Sequence, residues 1–360
     1  MISWLQGGRL ASATDFAALN LPAIENWLSR NLSSVAGPFS FRLIAGGFSN
    51  LTFRIDCKGG PLVLRRPPLG VLPSSAHDVA REHRLYAALA PTPVPVPPCR
   101  GLCADLSVTG APFYVMQWVD GAVVDSPDQV EQHLQSGASR IRATGHLVEV
   151  LAAIHRLDLK AIGLDDLGPH ENYLLRQLDR MQRVWKKTQT RPLPLIDLLG
   201  ERLAARAPLQ RYTGLVHSDY RLGNLMLGPE GDVRAVLDWE LCAIGDVLID
   251  LGFLLNSWDQ PEDPAPGVWM QPAPTRAGDF PTRFQLAEQY ARFSGYDVSD
   301  LDYYRAFCYW RIAIIGEGIK RRYESGAMGA GTIDLDAVAR RVEARAEYAD
   351  QHLQRWAGGA

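Results

Sequence analysis

The stretch "LVHSDYRLGNLML" gathers His217, Asp219, Arg221 and Asn224 between two short apolar runs. A carboxylate, a cation and an amide on one loop suit work on a phosphate, a metal and a hydroxyl together. Just downstream, "NLML", the turn "GPEGD" and "VRAVLD" read as an antiparallel hairpin. Asn224, entering its first strand, then converges with Asp238, leaving its second. An amide oxygen and a carboxylate are hard ligands of the kind magnesium takes, an ion that completes its shell with waters and substrate phosphates. Glu240 is a further candidate ligand. Asp219 is placed to orient an acceptor hydroxyl and take its proton. Arg221 is placed to neutralise charge on a transferring group, and His217 to anchor the loop. A polar turn before a hairpin explains any one of these residues but accounts poorly for the set.

His-x-Asp-x-x-x-x-Asn followed by a strand-end Asp is the catalytic arrangement of kinase-like phosphotransferases, which also need a phosphate cover, a strand cation and a helix carboxylate. The N-terminal third offers all three. "FSFRLIAGGFSNLTFRI" reads as two β-rich runs around a glycine-containing loop, in which Gly46, Gly47, Ser49 and Asn50 are candidates to lay backbone amides over phosphates. "PLVLRRPP" adds a third strand, stopped by Pro67 and Pro68. "SSAHDVAREHRLYAALA" reads as a helix capped by Ser75, with Asp78 three residues on, continuing to about Ala90. "PTPVPVPP" is a stiff extended connector. Strand-like runs follow at Arg100 to Val108 and Pro112 to Val119, joined by Thr109-Gly110-Ala111. The sum is a five-stranded sheet with one helix.

On that helix Val79, Glu82, Tyr86 and Leu89 fall at spacings of three and four, so Glu82 shares the apolar face and needs a partner. Arg65, ending "LVLR" where a phosphotransferase would carry lysine, is the natural one. Arginine stays charged and can hold carboxylate and phosphate in bidentate fashion. It admits two readings: a lysine substitute with altered geometry, or the mark of a binding protein that has lost catalysis. "VMQWVDG" would be the inter-lobe hinge, with main-chain groups near Gln117 and Val119 reading adenine.

Beyond Gly121 the periodicity is helical, as in "RIRATGHLVEVLAAIHRLD", where Ile141, Val148, Leu151 and Ile154 share a face. Pro261 to Pro281 reads as a long loop and a candidate lid. Helices resume at Thr282. A length of 360 residues suggests about two lobes or domains, and a net charge of -3 argues for neither nucleic acid nor an anionic membrane as partner. The N-terminus lacks the pattern of a secretory signal, and no apolar run is long enough to span a bilayer, so a cytoplasmic location is expected. Five cysteines include no Cys-x-x-Cys; Cys99 and Cys103 are a weak zinc hint, and reduced, buried thiols are the simpler reading.

The chain resembles the aminoglycoside phosphotransferase and choline kinase-like superfamily. The usual His-Gly-Asp-x-x-x-x-Asn reads "HSDYRLGN" here, with Ser218 for glycine, and "LDWELCAIGDVLIDLG" resembles the metal motif and following helix, with Val247 for a frequent proline. The resemblance implies Asp238 as principal metal ligand, and Asp246 and Asp250 as braces of the catalytic loop and helix start. "GGFSNLTFRI", "LVLRRPP", "GLDDLG", "YLLRQLDRM" and "YYRAFCYWRIAIIGEGIKRRYESG" are similar to one branch, fused in animals ahead of acyl-CoA dehydrogenase domains. Arginine at the Arg65 position is common in that branch, which is associated with phosphorylating the hydroxyl of hydroxyacyl-CoAs, 4-hydroxyacyl-CoA especially.

One feature bears on that substrate separately: Leu174, Leu178, Met181 and Trp185 form an apolar helical stripe, with Arg176, Arg180, Arg183 and Lys187 roughly opposite. Those cations either form a solvated face or receive CoA phosphates, and they would repel a polycationic aminoglycoside. The expectation is an α+β, two-lobed, protein kinase-like fold. Its small five-stranded antiparallel N-lobe would span 1–117, and its larger, mostly helical C-lobe 118–360. Catalysis would rest on Asp219, Arg221, Asn224 and Asp238. Asn224, Asp238 and Glu240 would hold Mg2+, and Gly46, Gly47, Ser49, Asn50, Arg65, Glu82, Gln117 and Val119 would hold ATP or GTP. The acceptor would be a small-molecule hydroxyl, CoA-linked by the resemblance. An aminoglycoside or amino-alcohol kinase and a nucleotide-binding pseudokinase are the rival readings.

Overall fold

A computed structural model describes residues 19–46, 50–67, 79–263, 272–326 and 333–358. The first element, helix α1 (Leu21–Asn31), was not expected from the sequence. Asn20 caps it by accepting from the Ala23 N–H at 3.3 Å, and its last turn closes through Leu32 N–H to Leu28 O. Ile24 and Leu28 face a cluster with Phe53, Ile55, Leu64, Phe113 and Val115.

That cluster lies on one face of a five-stranded antiparallel sheet made of β1 (Ala36–Gly46), β2 (Leu51–Lys58), β3 (Leu62–Arg66), β4 (Cys99–Cys103) and β5 (Phe113–Gln117). The strand order is β1-β2-β3-β5-β4, which makes β3 central. Alternation along β3 sends Leu62 and Leu64 to the α1 side and Val63 and Arg65 to the other. There Val63 joins Tyr114 and Met116 against helix α2 (Val79–Leu89), whose buried residues are Val79, Glu82, Leu85, Tyr86 and Leu89. The expected helix therefore forms, while Ser75 and Asp78 lie outside the described residues.

The fourth strand is shorter than the sequence suggested. Leu106 to Val108 belong not to a strand but to a one-turn helix α3 (Leu106–Thr109), because Asp105 accepts from Ser107 N–H at 2.9 Å and Gly110, at φ 76°, closes the turn in the left-handed region. The proline-rich connector runs from α2 to β4, and the Pro95 carbonyl accepts from Val236 N–H at 2.8 Å.

The remainder is mostly helical: α4 (Pro127–His133), α5 (Gly137–His155), α6 (Tyr173–Thr188), α7 (Pro194–Ala205), α8 (Leu248–Asn256), α9 (Arg283–Ser294), α10 (Leu301–Glu324) and α11 (Leu335–Gly358). Two small antiparallel pairs interrupt it. The expected hairpin is β7 (Leu225–Leu227) with β8 (Val233–Val236), in the register Leu225↔Val236. A second pair, β6 (Thr213–Val216) with β9 (Ala243–Asp246), escaped the sequence reading.

On α5, Val148, Leu151 and Ile154 are buried as expected, but Ile141 is 57 % exposed. At that end of the helix Arg140 turns inward instead, donating to the carbonyls of Leu134 and Ala277. The described flanks of the proline-rich loop are pinned rather than free. Thr275 Oγ1 donates to the Asp259 carbonyl at 2.8 Å, Arg276 pairs with Asp259 at 2.7 Å, and Arg283 pairs with Asp263. Among the described residues no helix is long and apolar enough to cross a membrane.

Candidate active site

Strand β6 delivers the loop that begins at His217. Both oxygens of buried Asp250, in the first turn of α8, accept from it: Oδ2 from His217 N–H at 2.6 Å and Oδ1 from Ser218 N–H at 2.7 Å. His217 Nε2 donates to the Leu237 carbonyl at 2.9 Å, and Nδ1 accepts from Asp219 N–H at 3.3 Å, so the proton sits on Nε2. The ring is wedged beside Trp239, 4.8 Å between centroids, which gives His217 the anchoring place expected of it. Ser218 has φ 71°, a conformation that glycine adopts freely, and this explains why glycine is usual here.

Asp219 is 4 % exposed. Its Oδ2 and its carbonyl accept from the Asn224 amide at 2.9 and 2.7 Å, while its Oδ1 has no hydrogen-bond partner. Because the amide nitrogen of Asn224 is committed to Asp219, its Oδ1 is left buried and unpartnered. Leu237 N–H donates to the Asn224 carbonyl at 2.9 Å, which brings the two ends of the hairpin together as the sequence suggested. Asp238 follows in the left-handed region, φ 65°.

Arg65 reaches this point from β3. Its Nε contacts Glu82 Oε2 at 3.0 Å and its Nη2 contacts Asp238 Oδ1 at 2.9 Å, with Glu240 Oε2 at 3.7 Å. The expected partner of Glu82 is thus in place, and the same guanidinium spans onward to Asp238. Burial raises the Glu82 carboxyl above the usual carboxylate range, outweighing the pull of Arg65. Burial, then the charge of Asp238, lifts Glu240 to about 7. Two further arginines of α2 bind this helix to the helical part: Arg81 Nη2 donates to Cys242 O at 2.7 Å, and Arg84 pairs with Asp166 at 2.5 Å.

Arg221 is held away from open solvent by an ion pair with Asp125, a residue the sequence reading missed, and its Nε stands 3.6 Å from Asp219 Oδ1. Gly223 fits beneath that pair; a Cβ there would collide with both Arg221 Nη1 and Asp125 Oδ1. Asp246 accepts from Tyr304 Oη at 2.7 Å and Leu248 N–H at 3.3 Å, bracing the start of α8, and burial lifts its carboxyl to about 6.

Among the described residues no group of three or more His, Cys, Asp or Glu is arranged to hold a metal. The residues expected to hold magnesium are Asn224, whose Oδ1 is orphaned, and Asp238, with Glu240, whose Oε2 also lacks a hydrogen bond. An amide oxygen and a carboxylate are hard donors of the kind that fit magnesium, which tolerates a sparse protein shell when phosphates complete it.

Of the remaining expected residues, Gly47 and Ser49 lie outside the described residues, Gly46 ends β1, and Asn50 is buried at the start of β2. The Gln117 N–H is committed to Pro98 O at 2.9 Å. The segment after β5 returns to the hairpin through reciprocal 2.8 Å bonds between Ala122 and Leu227. On α6 the apolar stripe is buried as expected. Its basic face is partly engaged, since Arg176 donates to Pro169 O at 2.7 Å and Arg183 pairs with Asp179.

Residues 40–271 match the family described as phosphotransferase enzymes. The mouse acyl-CoA dehydrogenase family member 10 is 33% identical over 319 residues, covering 88% of this chain, while the chain spans only 30% of that relative's length. A solved structure of a Ralstonia eutropha protein named for the aminoglycoside phosphotransferases superposes with TM-score 0.79 at 33% identity, over 93% of this chain and 98% of that one. The aminoglycoside phosphotransferase APH(4)-Ia, solved as a thermostable mutant with ADP and hygromycin B, shares the fold at TM-score 0.58 and 16% identity, over 91% and 98% of the two chains. The five-stranded sheet above a helical body is therefore the α+β, kinase-like fold of these neighbours. With the loop from His217 to Asn224, the paired Arg65 and Glu82 and the hairpin-end Asp238 all falling within the matched span, the chain belongs to the phosphotransferase enzyme family of aminoglycoside kinase-like type.

Proposed function

We propose that this chain is a small-molecule kinase that moves the γ-phosphoryl group of ATP, with magnesium, onto an alcohol hydroxyl. The observation that carries the reading is the span of Arg65 from Glu82 to Asp238, beside a loop on which Asn224 orders Asp219. ATP would supply the phosphoryl group, and magnesium would draw charge from it. Asp219, with Oδ2 fixed on Asn224, keeps Oδ1 to orient the acceptor hydroxyl and receive its proton. Arg221 balances charge beside it. Asn224 and Asp238 would hold the magnesium, with Glu240 as a weaker third ligand. Arg65 and the Gly46 to Asn50 loop would face the phosphates, and Val119 the adenine. The lobes would divide after Gln117, where β5 ends.

A 4-hydroxyacyl-CoA is the acceptor we favour. Support comes from the alignment of acyl-CoA dehydrogenase family members with most of this chain, and from exposed Arg180 and Lys187 on α6, which suit CoA phosphates. An aminoglycoside acceptor is the second reading, favoured by the name of the Ralstonia neighbour. The test is ATP consumption with magnesium against hydroxyacyl-CoAs, aminoglycosides and amino alcohols, with Asp219→Ala as control. Turnover of a 4-hydroxyacyl-CoA that disappears in the variant is expected. Nucleotide binding without Asp219-dependent turnover of any acceptor would instead mark a pseudokinase.

A further inference from the structure

Arg311, on α10, is 9 % exposed and reaches the catalytic loop from the helical side. Its Nη2 donates to the carbonyl of Ser218 at 2.9 Å, the residue before Asp219. Its Cζ stands 5.7 Å from the centroid of the Phe253 ring. The other deeply buried arginines of the site have carboxylates: Arg65 has Glu82 and Asp238, and Arg221 has Asp125. Among the described residues Arg311 pairs with none, and its Nε is buried without a hydrogen-bond partner.

A carbonyl needs only a neutral donor. Asp250, which accepts from the Ser218 N–H, is the carboxylate across that residue, but it makes no ion pair with Arg311, and keeping a full positive charge in a largely dry place without a direct ion pair is unfavourable. Its position therefore points to a ligand oxygen that is anionic or strongly polarised. The phosphate side of the site is already served by Arg65, which enters from the sheet. Arg311 enters from α10, one residue along the chain from the Asp219 backbone, a step of about 3.8 Å between neighbouring Cα atoms.

We infer that Arg311 holds the acyl oxygen of the acceptor, a thioester carbonyl or a carboxylate a few bonds from the hydroxyl presented to Asp219. The inference rests on the phosphotransferase reading above and assigns a residue to the acyl group of the acceptor favoured there. A guanidinium is suited to either oxygen, since a charged donor strengthens the bond and its fork fixes orientation. No bond is made or broken at Arg311; it places the chain so that the hydroxyl meets the base.

The test compares 4-hydroxypentanoyl-CoA, free 4-hydroxypentanoate and pentan-2-ol as acceptors for the wild type, Arg311→Gln and Arg311→Lys, with MgATP. Arg311→Gln is expected to lose at least about tenfold in kcat/KM with the acyl acceptor, chiefly through KM, and far less with pentan-2-ol, while the KM for ATP stays within about twofold; Arg311→Lys recovers part of the loss. Comparing the thioester with the carboxylate identifies the oxygen held. An equal fall in kcat with all acceptors, KM unchanged, would mean that Arg311 only braces the loop and would overturn the inference. Should the variants fail to fold, the wild type answers alone: pentanoyl-CoA should inhibit about tenfold more tightly than its thioether analogue S-pentyl-CoA, and equal inhibition overturns the assignment. Asp219-dependent turnover confined to amino alcohols or aminoglycosides overturns this inference but leaves phosphotransfer standing. No turnover of any acceptor overturns both.

Discussion

Replacing Arg65 with lysine would restore the residue more usual at this strand position, yet the structure argues that it should damage this protein. Arg65 meets Glu82 through Nε at 3.0 Å and Asp238 through Nη2 at 2.9 Å, so two carboxylates are served by two different nitrogens of one rigid plane. A lysine offers one nitrogen on a flexible stem and, in this spacing, keeps one partner at the expense of the other. Both carboxylates are deeply buried, with side-chain exposures of 3% and 8%. Losing one charge-assisted bond there should cost about 2 kcal/mol, within the roughly 1.5–3 kcal/mol typical of such bonds. If Glu82 is the partner lost, its carboxyl, already raised by burial, rises further. A carboxyl whose folded pKa exceeds its unfolded value holds a proton in the folded state that the unfolded chain has released, so stability falls as pH rises through that window. The deficit of Arg65→Lys in urea unfolding should therefore be larger at pH 8 than at pH 6. Turnover with MgATP should drop at least about thirtyfold, the equivalent of about 2 kcal/mol. A variant with wild-type midpoints at both pH values and unimpaired turnover would refute the two-carboxylate argument.

Three other substitutions probe separate parts of the site. Asp125→Asn removes the charge that holds Arg221, and kcat should fall about tenfold with little change in the KM for ATP; an unchanged kcat would show Arg221 to be held adequately by Asp219 alone. Gly223→Ala forces a Cβ into the same ion pair, and a loss of about a hundredfold in turnover is expected, with circular dichroism checking that the fold survives. Asp246 carries a carboxyl raised to about 6 while its unfolded value lies near 4, so its burial costs nothing below about pH 4 and up to about 3 kcal/mol above pH 6. Asp246→Asn should accordingly flatten the decline in stability between pH 4 and 6, measured by urea midpoints, and an unaltered slope would remove Asp246 as its source.

What the sequence revealed was what neighbouring residues determine. The hairpin after Asn224 was readable because its turn and its register are set within a few residues, and Glu82 was readable because helical spacing placed a carboxylate on an apolar face. Helix α1 had the same kind of signal, an Asn20 cap with proline in the first turn and Ile24 and Leu28 a turn apart, and it was legible though unread. The β6–β9 pair was not, because strands of four residues each carry too little pattern and their pairing joins Thr213 to Asp246 across the whole loop and hairpin between them.

The same distinction separates the groups of the candidate site that lie on one loop from those that balance its cations. Asp219 and Asn224 are five positions apart and find each other through one loop. The partners of the cations come from far away: Asp125 is 96 positions from Arg221, Asp238 is 173 from Arg65, and the Ser218 carbonyl is 93 from Arg311. No local spacing rule links such pairs, since they are created when the sheet, the loop and α10 pack together. Hence a motif can report which chemistry a loop is equipped for, whereas the partners of the buried cations around it are disclosed only by the folded chain. Arg311, buried beside the loop without a carboxylate of its own among the described residues, is the cation whose part is most open to experiment.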